Sequence, residues 1–417
     1  MTTPIEMPLG IETPADGRTA LVLAGGGVSG AVYEIGALRA IDDLLVNRTV
    51  NDFDIYVGTS AGALVAAFLA NGVSSTDLMR VVADNHPLAA FPESKHLFHF
   101  NTRETLRRGL GLPRRLVTTS ASAMARRGRV SVLDMLFSGL GDALPSGIYD
   151  MTPYGDWIAE TLYSIGCSNR FDELERELYI IATQLGNGHR SVFSHETPDI
   201  PVSDAVVASS AVPVIYKPVK IGGREYIDGG TRGNASLDLA IEHGAKLVVC
   251  INSLVPIDTR ENGQTGELIS ERGLEAVSAQ ATRVLLHSGL KYQIKQLQRR
   301  HPDVDIILIE PKPDDAMMFF ANIMNLRDRV HIAEHGFRSV TVDLADKYEH
   351  FKATLARYGI HISRGQILAD LEEIRDAQHD PEVVQRVLAR SVAPVAFPKR
   401  PARRIWARGE RASFGSR

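Results

Sequence analysis

Twice within the first seventy residues, a short apolar run passes through small residues straight into a helix-forming run. That repeated junction constrains the architecture more than any other feature of the chain. Thr19-Ala20-Leu21-Val22-Leu23-Ala24 enters Gly25-Gly26-Gly27-Val28-Ser29-Gly30 and then a helical pattern over residues 31–45. Asp54-Ile55-Tyr56-Val57 enters Gly58-Thr59-Ser60-Ala61-Gly62 and then the helix-forming residues 63–70. Short apolar runs of this kind read as strands buried on both faces, which occur in parallel sheets covered by helices. Strands and helices continue to alternate, with further strands expected over residues 178–185, 191–194, 226–228 and 247–251. The expected fold is α/β, a mostly parallel sheet flanked by helices.

Each junction carries chemistry as well as a turn. A strand that turns sharply into a helix lifts a serine oxygen clear of the backbone, so Ser60 is a candidate nucleophile, with Gly58 and Gly62 allowing the tight turn. Gly25, Gly26 and Gly27 place bare amides at the positive end of a helix dipole, where developing negative charge is stabilised. The expected donors are the N–H groups of Gly25, Gly26, Gly27 and Val28, with Ala61 after the nucleophile; Gly30 completes the loop. Gly25, Gly27 and Gly30 also satisfy a dinucleotide fingerprint, with Asp42, Asp43, Asp52 and Asp54 downstream. A dinucleotide fold has no use for a raised serine on its second strand, which favours the oxyanion reading. A serine hydroxyl needs a base, and Asp228, beside Gly229 and Gly230, is the candidate; Asp-Gly also marks ordinary turns.

Taken in chain order, these pieces resemble the patatin-like phospholipases: a glycine-rich oxyanion loop, a Gly-x-Ser-x-Gly elbow and an aspartate in Asp-Gly-Gly. Ala208-Ser209-Ser210-Ala211-Val212-Pro213 is similar to the family segment before the aspartate strand, and the resemblance covers residues 19–252. One departure is Ser29, where family members often carry Arg or Lys; backbone donors survive the change, and charge-assisted support does not.

The resemblance implies a Ser60–Asp228 dyad in a serine acyl hydrolase that cleaves lipid esters, of phospholipase A or lysophospholipase type, with a lipid as substrate and no cofactor. The alternatives are a thioesterase or polyester hydrolase using the same dyad, or an inactive relative whose loop grips a phosphate or nucleotide. His243 and His287 follow Asp228 in the chain and stay open as bases.

Residues 1–18 read as an N-terminal extension, 19–311 as the catalytic domain with 86–170 as an insertion or cap, 312–392 as a helical C-terminal region, and 393–417 as a basic flexible tail. A last strand is expected over 305–309, after a helix over 271–299. The net charge is −4, yet Arg103, Arg107, Arg108, Arg114, Arg115, Arg126, Arg127 and Arg129 are opposed in their stretch only by Glu104. With interleaved leucines, that stretch suits either a solvated helix or contact with an anionic membrane. The tail, with Trp406 among its arginines, offers the same two readings; no nucleic-acid partner is expected, since no recognition module accompanies the charge.

The expected compartment is the cytoplasm, with peripheral membrane contact as an option, because residues 1–18 lack a signal-peptide pattern and residues 61–70 are too short to span a bilayer. The two cysteines, Cys167 and Cys250, form no framework, and the oligomeric state is left open. No metal is expected. His331-Ile332-Ala333-Glu334-His335 matches an inverted zinc-peptidase pattern, with Glu372 or Glu373 as a nominal third ligand, but reads more simply as helix-surface histidines. His96 and His99 are weaker still. The run Met317 to Met324 suits an acyl channel or, preferably, a helix packed on the sheet.

Overall fold

The computed structural model describes residues 17–46, 48–108, 144–259, 268–315, 317–318 and 326–390. In chain order the elements are β1 (Arg18–Leu23), α1 (Gly27–Leu44), β2 (Ile55–Thr59), α2 (Ala61–Ala70), α3 (Ser75–Val82), α4 (Ser94–Leu97), β3 (Gly147–Tyr149) and α5 (Thr152–Ser164). β4 (Glu177–Gln184), β5 (Arg190–Phe193), α6 (Val202–Ser210), β6 (Val214–Tyr216), β7 (Val219–Ile221), β8 (Arg224–Asp228), α7 (Leu237–Glu242) and β9 (Ala245–Ile251) follow. The last are α8 (Gly273–Arg300), β10 (Asp305–Ile309), α9 (Arg329–Ala356), α10 (Gly365–Asp376) and α11 (Pro381–Leu388).

The main sheet runs β10-β9-β1-β2-β4-β8-β7, with β5 also paired to β4. The first five strands of that order are parallel, and β5, β8 and β7 join antiparallel. The fold is thus α/β with a mixed sheet between helices. Side chains alternate across β1, where Leu21 and Leu23 face one core and Ala20 and Val22 the other. This period-two split explains why the strands read as continuous apolar runs: both faces are covered. α1, α2, α5 and α6 fill one side, and α7 and α8 the other.

The apolar stretch 212–219 divides into two strands of different sheets, β6 pairing with β3 and β7 with β8. Pro218 lies between them and has no N–H to continue a ladder. Cys250 is buried in β9, where burial pushes its thiol far up.

The helices after β10 pack back onto α1. α9 crosses α1 so closely that a Cβ on Gly36 would strike the Ala333 carbonyl, and one on Gly336 would strike that of Tyr33. Arg39 of α1, fully buried, donates from Nε to the Leu388 carbonyl at 3.0 Å and from Nη2 to that of Arg390 at 3.2 Å, and it pairs with Asp43 and Asp370. This cation ties the end of α11 to the helix that starts at the glycine loop.

Candidate active site

Ser60 occupies the turn between β2 and α2 with φ 54° and ψ −121°, a left-handed conformation that a side chain rarely adopts. Its neighbours hold it there. The Ser60 N–H donates to Ser209 Oγ at 2.8 Å, and Ser209 Oγ donates in turn to the Ile181 carbonyl at 2.5 Å. The Ser60 carbonyl accepts from the Ala63 N–H at 3.0 Å and from Ser210 Oγ at 3.2 Å. Gly62 allows α2 to approach β1, since a Cβ there would lie 2.7 Å from the Ala24 carbonyl oxygen. Gly58 packs against Ala63 in the same turn.

β8 lies antiparallel to β4 with Asp228 opposite Ala182, which carries the carboxylate to the end of β2. Ser60 Oγ donates to Asp228 Oδ2 at 2.5 Å, and the Gly230 N–H donates to Asp228 Oδ1 at 2.7 Å. Gly229 packs against the Ile181 carbonyl. Burial pushes the Asp228 carboxyl up to about 6, against the pull of those two hydrogen bonds. A carboxylate with that value is a better proton acceptor than an exposed one and is still mostly ionised at neutral pH.

The glycine loop stands beside the pair. Gly26 precedes α1, and Gly27 opens it at φ 64°. The first amides of a helix have no carbonyl four residues back, and here the Gly30 N–H already returns to the Gly26 carbonyl at 3.1 Å. The Gly25 N–H donates to the Asn234 carbonyl at 3.2 Å, so that amide is engaged within the protein. Gly27 and Val28, which follow Gly26, line one apolar pocket together with Ser60 and with Ala61 at the start of α2. A Cβ on Gly25 would sit 3.2 Å from Ser60 Cβ and 2.8 Å from Asn234 Oδ1, which measures how closely loop and serine approach.

Three supporting residues had no individual signal in the sequence. Ser209 and Ser210 were visible only within a motif segment. Asn234 donates from Nδ2 to Asn252 Oδ1 at 2.9 Å, while its own Oδ1 is buried beside Gly25 without a hydrogen-bond partner among the described residues.

The apolar pocket lined by Ser60, Ala61, Gly27 and Val28, among others, holds about 790 Å3 of empty space, open solvent included. α5 gives it one wall with Tyr154 and Trp157, preceded by Met151. Met317 and Met318 do not line it; Met318 is buried in the core, and its carbonyl accepts from Arg283 Nη2 at 2.8 Å. Residues 319–324 of that run lie outside the described residues.

The other sequence candidates sit elsewhere. His243 bonds and stacks with Tyr179, and His287 Nε2 lies 3.0 Å from Glu310; among the described residues neither hydrogen-bonds to Ser60 or Asp228. Glu334 pairs with His379 at 2.5 Å, whereas His335 faces Asp315 at 2.5 Å, so the histidine motif is divided between two partners. Among the described residues no three His, Cys, Asp or Glu side chains cluster as metal ligands. His96 caps its own turn at the Glu93 N–H, 3.0 Å away. Asp42 accepts from the Val50 N–H at 2.7 Å, Asp43 pairs with Arg39, Asp52 accepts from the Thr49 N–H at 2.8 Å, and Asp54 accepts from the Thr19 N–H at 2.8 Å. All four acids of the dinucleotide reading are therefore used in packing the fold. Arg114, Arg115, Arg126, Arg127, Arg129 and the tail 393–417 lie outside the described residues.

Residues 21–241 match the family model for patatin-like phospholipase. The chain is 22% identical over 227 residues to "Probable lipid hydrolase 463L" of Invertebrate iridescent virus 6, covering 54% of this chain and 64% of that one. It is 27% identical over 224 residues to "Uncharacterized protein YqhO" of Bacillus subtilis, covering 51% and 63%. The chain thus spans less than two thirds of the length of these relatives. Among solved structures, VipD from Legionella pneumophila aligns with a TM-score of 0.36 and 16% identity over 89% of this chain and 79% of that one; at that score the likeness carries no argument.

Proposed function

This chain belongs to the patatin-like phospholipase family, and from that premise we propose that it is a serine acyl hydrolase that cleaves lipid esters through Ser60 and Asp228. The observation that carries the reading is the 2.5 Å contact of Asp228 with Ser60 Oγ, a residue that lines an apolar pocket.

The proposed steps use these groups in turn. Ser60 Oγ attacks the ester carbonyl carbon while Asp228 Oδ2 takes its proton. The oxyanion forms against amides among Gly26, Gly27, Val28 and Ala61, where one donor is typically worth about 2.7–4 kcal/mol. Collapse expels the alcohol, which carries the proton away from Asp228, and leaves the acyl group on Ser60. Asp228 then deprotonates water, the water attacks the acyl carbon, and the second collapse frees the fatty acid and returns the proton to Ser60.

Phospholipase A or lysophospholipase action is the subtype we favour, because the pocket suits an acyl chain rather than a nucleotide. A thioester or polyester would meet the same dyad. The polar hollow that Arg103 and Arg107 line with Lys217 and Lys220 is of mixed charge, with Lys217 paired to Asp150 and Lys220 to Glu225; the two arginines are exposed and begin the arginine-rich stretch, which supports docking on an anionic membrane. No helix among the described residues is long and apolar enough to cross one.

The test is to incubate wild type and Ser60→Ala with a total lipid extract and follow the products by lipidomics. Release of fatty acid from one lipid class by wild type alone supports the reading. Identical extracts after both incubations contradict it.

A further inference from the structure

The pocket leaves Ser60 between two helices that both begin at the site. α1 contributes Ala31 and Ile35, and α2 contributes Leu64 and Phe68. At 1.5 Å per residue, Phe68 lies about 12 Å along α2 from Ser60, and Ile35 about as far from Gly27. The same lining includes Val81 of α3 and Phe91.

Arg329, the first residue of α9, stands against Phe91. Its guanidinium sits 5.1 Å from the centroid of the Phe91 ring. Nε donates to the Val82 carbonyl at 2.7 Å and Nη1 to that of Leu326 at 2.9 Å, while Nη2 pairs with Asp84. The helix crossing fixes the position of this group along α1. Gly36 meets Ala333 and Tyr33 meets Gly336, so α9 runs antiparallel to α1, and Arg329, one turn before Ala333, falls past Gly36 and hence farther along α1 from Gly27 than Ile35.

We infer that Arg329 stacked on Phe91 is the floor of the acyl pocket and sets the longest acyl chain the protein accepts. The inference rests on the acyl hydrolase reading and adds to it a specificity element supplied from beyond the segment matched by the family model. Phe91 is the contact surface, and Arg329 is a positioning residue that holds the ring. A lysine lacks the planar fork needed to stack on the ring and bond two carbonyls together.

The experiment measures binding of saturated fatty acids of increasing length to the full chain by displacement of a fluorescent fatty acid, which requires no turnover. Affinity should tighten about fourfold per additional buried methylene until the chain reaches the floor, then level off. Phe91→Ala and Arg329→Lys should move that levelling point to longer chains, and Phe91→Trp to shorter ones. The Phe91 pair decides the matter even where Arg329→Lys fails to fold. An unmoved levelling point in folded Phe91 variants overturns the inference, as does a wild type that binds no fatty acid. Turnover of nitrophenyl esters by the same proteins reads the hydrolase proposal separately: a wild type that binds fatty acids with a floor at Phe91 but hydrolyses no ester sinks that proposal alone.

Discussion

Ser209 accepts the backbone N–H of Ser60 through a hydroxyl that also donates to the Ile181 carbonyl, so one side chain of α6 fastens the candidate nucleophile to the middle of the sheet. The turn at Ser60 is strained, and a strained turn persists only where its surroundings over-determine it. Ser209→Ala leaves a buried N–H and a buried carbonyl without this partner, which costs about 1–3 kcal/mol for an unsatisfied group. Tm should fall by several degrees, and kcat should fall more than KM rises, because the oxygen loses its aim rather than the pocket its shape. Thermal melts and ester kinetics on the single variant check both parts.

Asp228 must be ionised to take a proton from Ser60, and its burial places that ionisation at about 6. The logarithm of kcat/KM should therefore fall with a slope of about one per pH unit below that value and level off above it. A rate that stays flat down to pH 4 would assign the base elsewhere.

The same shift has a consequence for stability. An Asp raised from 3.8 to about 6 binds its proton more tightly in the folded protein, so folding is favoured by that proton at low pH and loses its help as pH rises through 6. Above pH 6 the buried charge costs up to about 3 kcal/mol, at 1.36 kcal/mol per unit. Asp228→Asn should melt higher than wild type at pH 8 while losing turnover, and the gap should close toward pH 4. Calorimetric scans at both pH values measure it; a gap independent of pH would contradict the burial argument.

Gly25 leaves no room for a side chain between Asn234 and Ser60. Gly25→Ala must push the loop or the serine aside, and displacement of about 1 Å at a reacting centre costs on the order of a hundredfold in rate. The expected result is loss of kcat of that size with a nearly unchanged circular dichroism spectrum. Full activity in the alanine variant would show that the loop does not need this approach.

Much of this architecture was legible because its signals are local. In each of the first two units, strand, small-residue turn and helix are consecutive in the chain, from Arg18 to Leu44 and from Ile55 to Ala70, and β10 stands where its apolar run placed it. The meeting of Ser60 with Asp228 spans 168 positions and depends on antiparallel pairing of β8 with β4, which no local pattern encodes; only motif order suggested it. Ser209 and Asn234 are common residue types whose roles come from tertiary contacts. The pocket was hardest to foresee. α2 is apolar all round, so its sequence names no face, and Tyr154 and Trp157 fall within the segment 86–170 read as an insertion. The methionine run was the more conspicuous stripe, yet Met318 serves the core.

The most direct measurement is mass spectrometry of the protein after exposure to a fluorophosphonate probe, which reacts only with an activated serine. The account predicts a single adduct on the peptide containing Ser60 in wild type, and its loss in Asp228→Asn. An unlabelled wild type, or an adduct on any other serine, would contradict it.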